Sequence, residues 1–422
     1  MSAAATAAVR EVSAPQTRRF VMGALFIVFG LVLWFGFAQG VEADAVTTFG
    51  LTPGGVTTTL RDWTLQTRPA LTVLALVCVF IGAVELVRGL GRFQNLALGL
   101  VVGFFVFGFL VWATAGKSMN LGGLLNASLD KAVPITLAAL SGVLCERAGV
   151  VNIAIEGMML TGAMVGAMIG SAAQNSMVGL VAAVAAGGGL GLFHGWLSIK
   201  YKTNQIVSGT VINIFATGIT SYISALLLQS RPELNSPVIF PTFPIPVLSQ
   251  IPVIGPILFL NNPFVYSMFF FLIVIQGALF FTRWGLRHRS VGEHPKAADT
   301  LGINVFRTRY VAVLLSGMMA GFAGAYYTLG SVGRFDEVMT AGRGFIGLAA
   351  MIFGNWTPFG AFGASLLFGF ADAMSSKLAI LGIAIPSQFL LMTPYIATMV
   401  VLAGVVGRGQ MPAADGVPYE KE

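Results

Sequence analysis

Charge is scarce in this sequence. Asp, Glu, Lys and Arg make up 10% of its 422 residues, where a soluble domain carries about 25%. So little charge excludes an ordinary water-soluble domain, because the apolar surface would have no polar cover. Cysteine is scarcer still. Cys78 and Cys145 both lie in or beside apolar runs, so no disulfide framework is implied. The three histidines, His194, His288 and His294, lack zinc-type spacing. No serine stands between glycines two residues away on both sides, which removes the nucleophile elbow. Ala115-Gly116-Lys117-Ser118 matches the end of a phosphate-binding loop, but Val111 stands where that loop needs glycine. No catalytic constellation, metal site or cofactor is expected.

Apolar residues are abundant instead. They form 56% of the chain, with 33 Phe and 52 Gly. Phe suits a lipid-facing surface, and Gly lets helices approach closely in a membrane. Gly187-Gly188-Gly189 lies inside an apolar run and reads as a helix-packing element. A helix needs about 20 apolar residues to cross a bilayer. Runs of that kind fall near 20–38, 69–88, 95–114, 132–146, 150–172, 177–199, 205–228, 263–283, 308–330, 343–358, 361–382 and 388–406. The fold class is therefore all-α, a polytopic transmembrane bundle of about 10–12 spans. The fourth and tenth runs are short and read as half-helices or tilted segments. Arg18 and Arg19 precede the first run, and Ala43-Asp44-Ala45 resembles a cleavage site. The run is long enough to span, so an uncleaved first helix is the preferred reading.

The net charge of +7 follows the positive-inside bias rather than a nucleic-acid surface. With the N-terminus in the cytoplasm, sixteen basic residues fall inside and eight outside. Both termini are then cytoplasmic. Residues 229–262 carry Pro232, Pro237, Pro241, Pro244, Pro246, Pro252 and Pro256, which break regular helix. They read as an outer loop or re-entrant cap, and 39–68 as a second outer loop. The chain divides into an extension of about three spans (1–115), a core (116–410) and a cytoplasmic tail (411–422).

An internal echo aligns Glu156-Gly157-Met158-Met159-Leu160-Thr161-Gly162-Ala163-Met164 with Arg343-Gly344-Phe345-Ile346-Gly347-Leu348-Ala349-Ala350-Met351. The two run in opposite directions across the membrane in this topology, the pattern of an inverted repeat. Acids within spans are functional suspects. Glu156 and Asp372 are the clearest, whereas Glu85 lies near a helix end that reaches the interface. Glu156 is expected to pair with Arg343 or share a cavity with it. Two roles stay open for these groups, locking helices together or lining the pathway. The same choice holds for Asn152, Gln205, Asn213 and Asn355. Phe345 joins the pathway candidates, and His194 reads as structural. In the basic loop 283–309, Pro295 starts a short helix and Gly302 ends it. It is either an ordinary inner loop or a docking element for a motor.

Four blocks carry a resemblance: Cys145–Met159, Asn204–Asn213, Val291–Asn304 and Thr340–Gly354, with Gly416-Val417-Pro418-Tyr419 in the tail. Together they resemble ABC importer permeases of the branched-chain amino acid and simple-sugar superfamily, most of all the nucleoside-type members. The likeness covers roughly 120–422. It implies a membrane subunit, not an enzyme, in the cell membrane. The implied partners are a second permease in a heterodimer, ATP-binding subunits, an extracytoplasmic solute-binding protein, a small polar solute and lipid, with no nucleic acid. Coupling to the ATP-binding subunit would fall on Gly292, Glu293, Pro295, Ala297, Ala298, Asp299, Leu301 and Gly302. Ala297 and Ala298 are expected to form its slim surface and Leu301 its apolar knob. Nucleosides are the expected solute, with simple sugars or branched-chain amino acids as the alternative. An ion-coupled secondary transporter is the rival class.

Overall fold

The computed structural model describes residues 2–54, 60–382, 392 and 410–421. Its helices are α1 (Ser2–Leu31), α2 (Thr67–Val87), α3 (Gln94–Ala113), α4 (Leu121–Glu146), α5 (Ile155–Ala173), α6 (Ser176–Gly195) and α7 (Gln205–Ile223). They continue with α8 (Ile254–Phe259), α9 (Pro263–Phe281), α10 (Arg283–Glu293), α11 (Pro295–Thr300), α12 (Val305–Ala325), α13 (Arg343–Phe353) and α14 (Pro358–Ile380). Four helices run on in π geometry, over Val32–Ala38, Trp196–Lys200, Ser224–Leu228 and Tyr326–Val332.

Among the described residues, nine helices are long and apolar enough to cross a membrane. They correspond to the first nine apolar runs. The tenth run is the eleven-residue α13, short as expected, and the eleventh is α14. The run at 388–406 lies outside the described residues. The fourth run differs from expectation. It is no half-helix but a 26-residue helix that starts at Leu121. Asp130 and Lys131 depress the local hydropathy there, yet Lys131 is paired with Asp372, so helix continues through them.

The chain falls into two compact units, one mostly Met1–Gly123 and the other mostly Leu124–Ala379 with the tail. In the first, α1 and α2 meet at glycines. A Cβ on Gly82 would come within 2.9 Å of the Gly23 carbonyl. Strands β1 (Val46–Gly50), β2 (Trp63–Gln66) and β3 (Ser118–Asn120) form a small sheet of order β2-β1-β3. Val46 pairs with Gln66 antiparallel and Thr48 with Ser118 parallel. Glu85 is not solvated at its helix end. It is buried and accepts from Leu90 N at 2.7 Å and Gln94 Nε2 at 2.8 Å, so it ties the α2–α3 turn.

In the second unit, α5, α6 and α12 form the densest packing. Gly187 and Gly191 of α6 face Gly317 and Gly321 of α12, where added side chains would strike backbone. This is the small-residue contact that close membrane helices require, and it accounts for Gly187 in the glycine run. The proline-rich stretch is irregular, with strands β4 (Phe243–Pro244) and β5 (Leu260–Asn261) paired antiparallel. Asn235 fastens it through reciprocal bonds with Phe335.

Candidate functional site

Glu156 sits in the first turn of α5 and is buried. Its carboxylate accepts Thr340 Oγ1–H at 2.6 Å, Gly342 N–H at 2.8 Å and Gly344 N–H at 2.6 Å. The two amides belong to the start of α13, where free N–H groups and the helix dipole favour an anion. Gly342 has φ +78°, a left-handed turn that suits glycine. Gly344 lacks a Cβ that would meet Glu156 Cα at 2.7 Å.

The expected Glu156–Arg343 ion pair is not formed. Arg343 donates to Asp372 Oδ2 at 3.0 Å, and Lys131 Nζ lies 3.1 Å from Asp372 Oδ1. The backbone at the start of α13 already fills the Glu156 oxygens, which leaves the guanidinium for Asp372. These three side chains keep 22–29% of their surface exposed, so they border open space. Among the described residues the buried Tyr327 hydroxyl has no hydrogen-bond partner, and it lies within electrostatic reach of Arg343, Glu156 and Asp372.

The amide candidates gather around the irregular backbone of 150–154. Asn152 donates to Ser316 Oγ at 2.8 Å and accepts from Ala154 N at 3.1 Å. Gln205 accepts from Val151 N at 2.7 Å. Asn213 accepts from Gly157 N and donates to Ile153 O, both at 2.8 Å. All three are buried and connect the segment to α7 and α12. Asn355 accepts from Gln410 N at 2.7 Å. His194 bonds Val151 O at 2.9 Å and Ser208 Oγ at 3.2 Å, in keeping with a structural role. Phe345 is exposed on α13.

Helices α10 and α11 form a capped helical elbow. Thr282 Oγ1 accepts from Gly285 N at 3.1 Å. His294 Nδ1 accepts from Ala297 N at 3.1 Å, with Pro295 next in the first helical position. Gly302, at φ +81°, ends α11. Leu301 is 81% exposed and Ala297 is also exposed. Ala298 points the other way and packs with Val291, Val305 and Tyr419. The slim surface expected from both alanines is thus Ala297 alone. Gly292 is buried, because any side chain there would strike the Arg147 backbone. His288 Nε2–H donates to Leu144 O at 2.8 Å, and burial pushes its pKa down to about 4.

The family described as the permease component of branched-chain amino acid transport systems matches residues 124–407. The chain belongs to this permease family. It is 42% identical to the guanosine ABC transporter permease protein NupQ of Bacillus subtilis, over 70% of this chain and 95% of that relative. It is 39% identical to the nucleoside ABC transporter permease protein NupC of Lactococcus lactis, over 68% of this chain and 93% of that relative. A putative glucose ABC transporter permease, TsgC13 of Haloferax volcanii, is 34% identical over 62% of this chain and 80% of its own length. No solved structure matches. The chain is thus a multi-pass membrane permease subunit of the ABC class, and not an enzyme.

Several residues of this permease's polar network escaped sequence reasoning. Lys131 is one of the eight basic residues that the topology puts outside, and Thr340 and Tyr327 carry no charge to draw notice. The one signal for Thr340 is that it opens the block Thr340–Gly354 that carries the family resemblance. Glu146, Arg309 and Asp415 also converge, far apart in sequence. Among the described residues no group of three His, Cys, Asp or Glu side chains is placed to hold a metal ion.

Proposed function

We propose that this chain is the translocation subunit of an ABC importer for nucleosides. The observation that carries the reading is the likeness to two relatives named for guanosine and nucleosides, each over more than nine tenths of the relative's length. ATP-binding subunits dock on the exposed elbow at Ala297 and Leu301. A second permease completes the pathway, and a solute-binding protein delivers cargo from outside. Both termini lie in the cytoplasm.

The charge network supports a pathway for a polar, uncharged solute. Lys131, Arg343, Asp372 and Glu156 sum to zero formal charge, and two of the four partners are partly exposed donors. The unpartnered Tyr327 hydroxyl beside them suits a solute rich in hydrogen-bonding groups. An ion-coupled transporter is disfavoured, because Glu156 is filled by three donors and Asp372 by two cations.

Glucose is the second reading, on the strength of the putative glucose permease relative. Titrating the partner solute-binding protein with guanosine, glucose and leucine separates the two. Guanosine binding alone supports the nucleoside reading, and glucose binding alone replaces it. Ser290→Cys labelled only from the cytoplasm and Asn235→Cys only from outside support the orientation; the reverse pattern overturns it.

A further inference from the structure

The tail from Gln410 to Lys421 lies across the elbow and reaches the turn between α13 and α14. At its start, Gln410 N donates to Asn355 Oδ1 in that turn at 2.7 Å. Next, Ala413 N donates to Glu293 Oε2 at 3.2 Å and Ala414 N to Gly292 O at 2.9 Å, at the end of α10. Arg309 of α12 donates to Val417 O at 2.9 Å. Tyr419 is buried with Val291, Ala298 and Val305, its ring 5.4 Å from that of Phe306. Lys421 lies 3.7 Å from Asp299 of α11.

Midway, Asp415 is buried against Glu146, the last residue of α4. Glu146 also accepts Trp356 Nε1–H at 2.6 Å, from the same α13–α14 turn. As two carboxylates, Asp415 and Glu146 offer each other only acceptors, and among the described residues the Asp415 oxygens have no side-chain donor, only the adjacent Gly416 amide beside them. One proton between the two carboxylates supplies the missing donor. The other groups facing Asp415 are Cys145 of α4 and Arg309 of α12.

We propose that residues 410–421 are a strap that passes movement from the docking elbow to the α13–α14 turn, and that a proton shared by Asp415 and Glu146 fastens it. This rests on the importer reading above. Asp415 is a positioning residue, since it acts through Glu146 and Trp356 on the helix that carries Arg343. Burial first, and then the Glu146 charge, push the docked Asp415 carboxyl up to about 9, while Arg309 pulls the other way. A detached tail returns it to about 3.9. Docking therefore takes up a proton, is strongest below the ordinary carboxylate range, and weakens as pH rises toward about 9.

The test uses the complete importer in lipid vesicles, with parent, Asp415→Ala and Asp415→Asn chains. The asparagine amide supplies a permanent donor to Glu146. ATP hydrolysed per solute moved should rise severalfold in Asp415→Ala and stay at the parent ratio in Asp415→Asn. Protease cleavage of the tail should increase from pH 5 to 9 in the parent, by up to about tenfold per pH unit, and stay flat in Asp415→Asn. An unchanged ratio in Asp415→Ala, or a parent cleavage profile flat with pH, overturns the strap. Asp415→Asn behaving like Asp415→Ala overturns the shared proton. If Asp415→Ala fails to assemble, the parent cleavage profile and the asparagine variant decide. A parent importer that neither hydrolyses ATP nor moves solute overturns the importer reading instead.

Discussion

The Glu156 carboxylate accepts the Gly344 amide at 2.6 Å, so the start of α5 is joined to the start of α13 by a buried anion on a helix N-terminus. The contact needs both residues. Glutamate supplies the charge, and glycine permits the approach of the two backbones. Glu156→Gln keeps one acceptor but loses the charge, and should lower stability by about 1–2 kcal/mol. Glu156→Ala leaves three donors short of an acceptor and should cost more. Thermal unfolding in detergent checks the order; equal loss in both variants would contradict it.

Asp372 stands between two cations, and this makes its neighbours unequal. Arg343→Gln leaves Asp372 paired with Lys131, whereas Asp372→Asn leaves Lys131 and Arg343 facing each other. Asp372→Asn should therefore impair uptake more than Arg343→Gln. In the double mutant, the effects should depart from additivity by about 0.5–1 kcal/mol, a modest figure because the groups are partly exposed. Additive effects would show that the pair is not coupled.

Position 301 and position 298 should respond oppositely. Leu301→Asp removes an exposed knob and should abolish stimulation of the ATP-binding subunit with stability unchanged. Ala298→Trp forces a large ring among Val291, Val305 and Tyr419, an overpacking that costs roughly 1–3 kcal/mol or more. It should reduce the yield of folded protein before docking is tested. Full stability in Ala298→Trp would contradict the inward placement.

His288 provides a pH signature. Burial in the folded chain disfavours the imidazolium and pushes its pKa down to about 4, against about 6.5 in an unfolded chain. The unfolded state binds the proton first, so stability is present above about 6.5 and falls as pH drops toward 4. The loss should approach about 3 kcal/mol for one such group. His288→Gln, which keeps a donor for Leu144 O, should flatten the fall between pH 7 and 4. An equally steep fall in that variant would assign the effect elsewhere.

Hydropathy alone located the first nine spans, because a lipid-facing helix carries its signature in composition. It failed at α4, where Asp130 and Lys131 interrupt the apolar run and only the fold supplies Lys131 with Asp372. Glu156 was visible as an acid within a span. Its true partners were not, since backbone amides leave no mark in sequence. The elbow was legible from Pro295 and Gly302, but α11 spans too few residues for periodicity to tell the Ala297 side from the Ala298 side. The tail's contacts were hidden for a different reason. Asp415 meets Glu146 across 269 positions (415 less 146), and its surroundings are polar and irregular.

The most direct test is ATP-driven accumulation of labelled guanosine by vesicles that hold this chain with its ATP-binding subunits, second permease and solute-binding protein. Uptake should require ATP and be competed by unlabelled nucleosides but not by glucose or leucine. Accumulation driven by an ion gradient without ATP, or competition by glucose in place of nucleosides, would contradict the account.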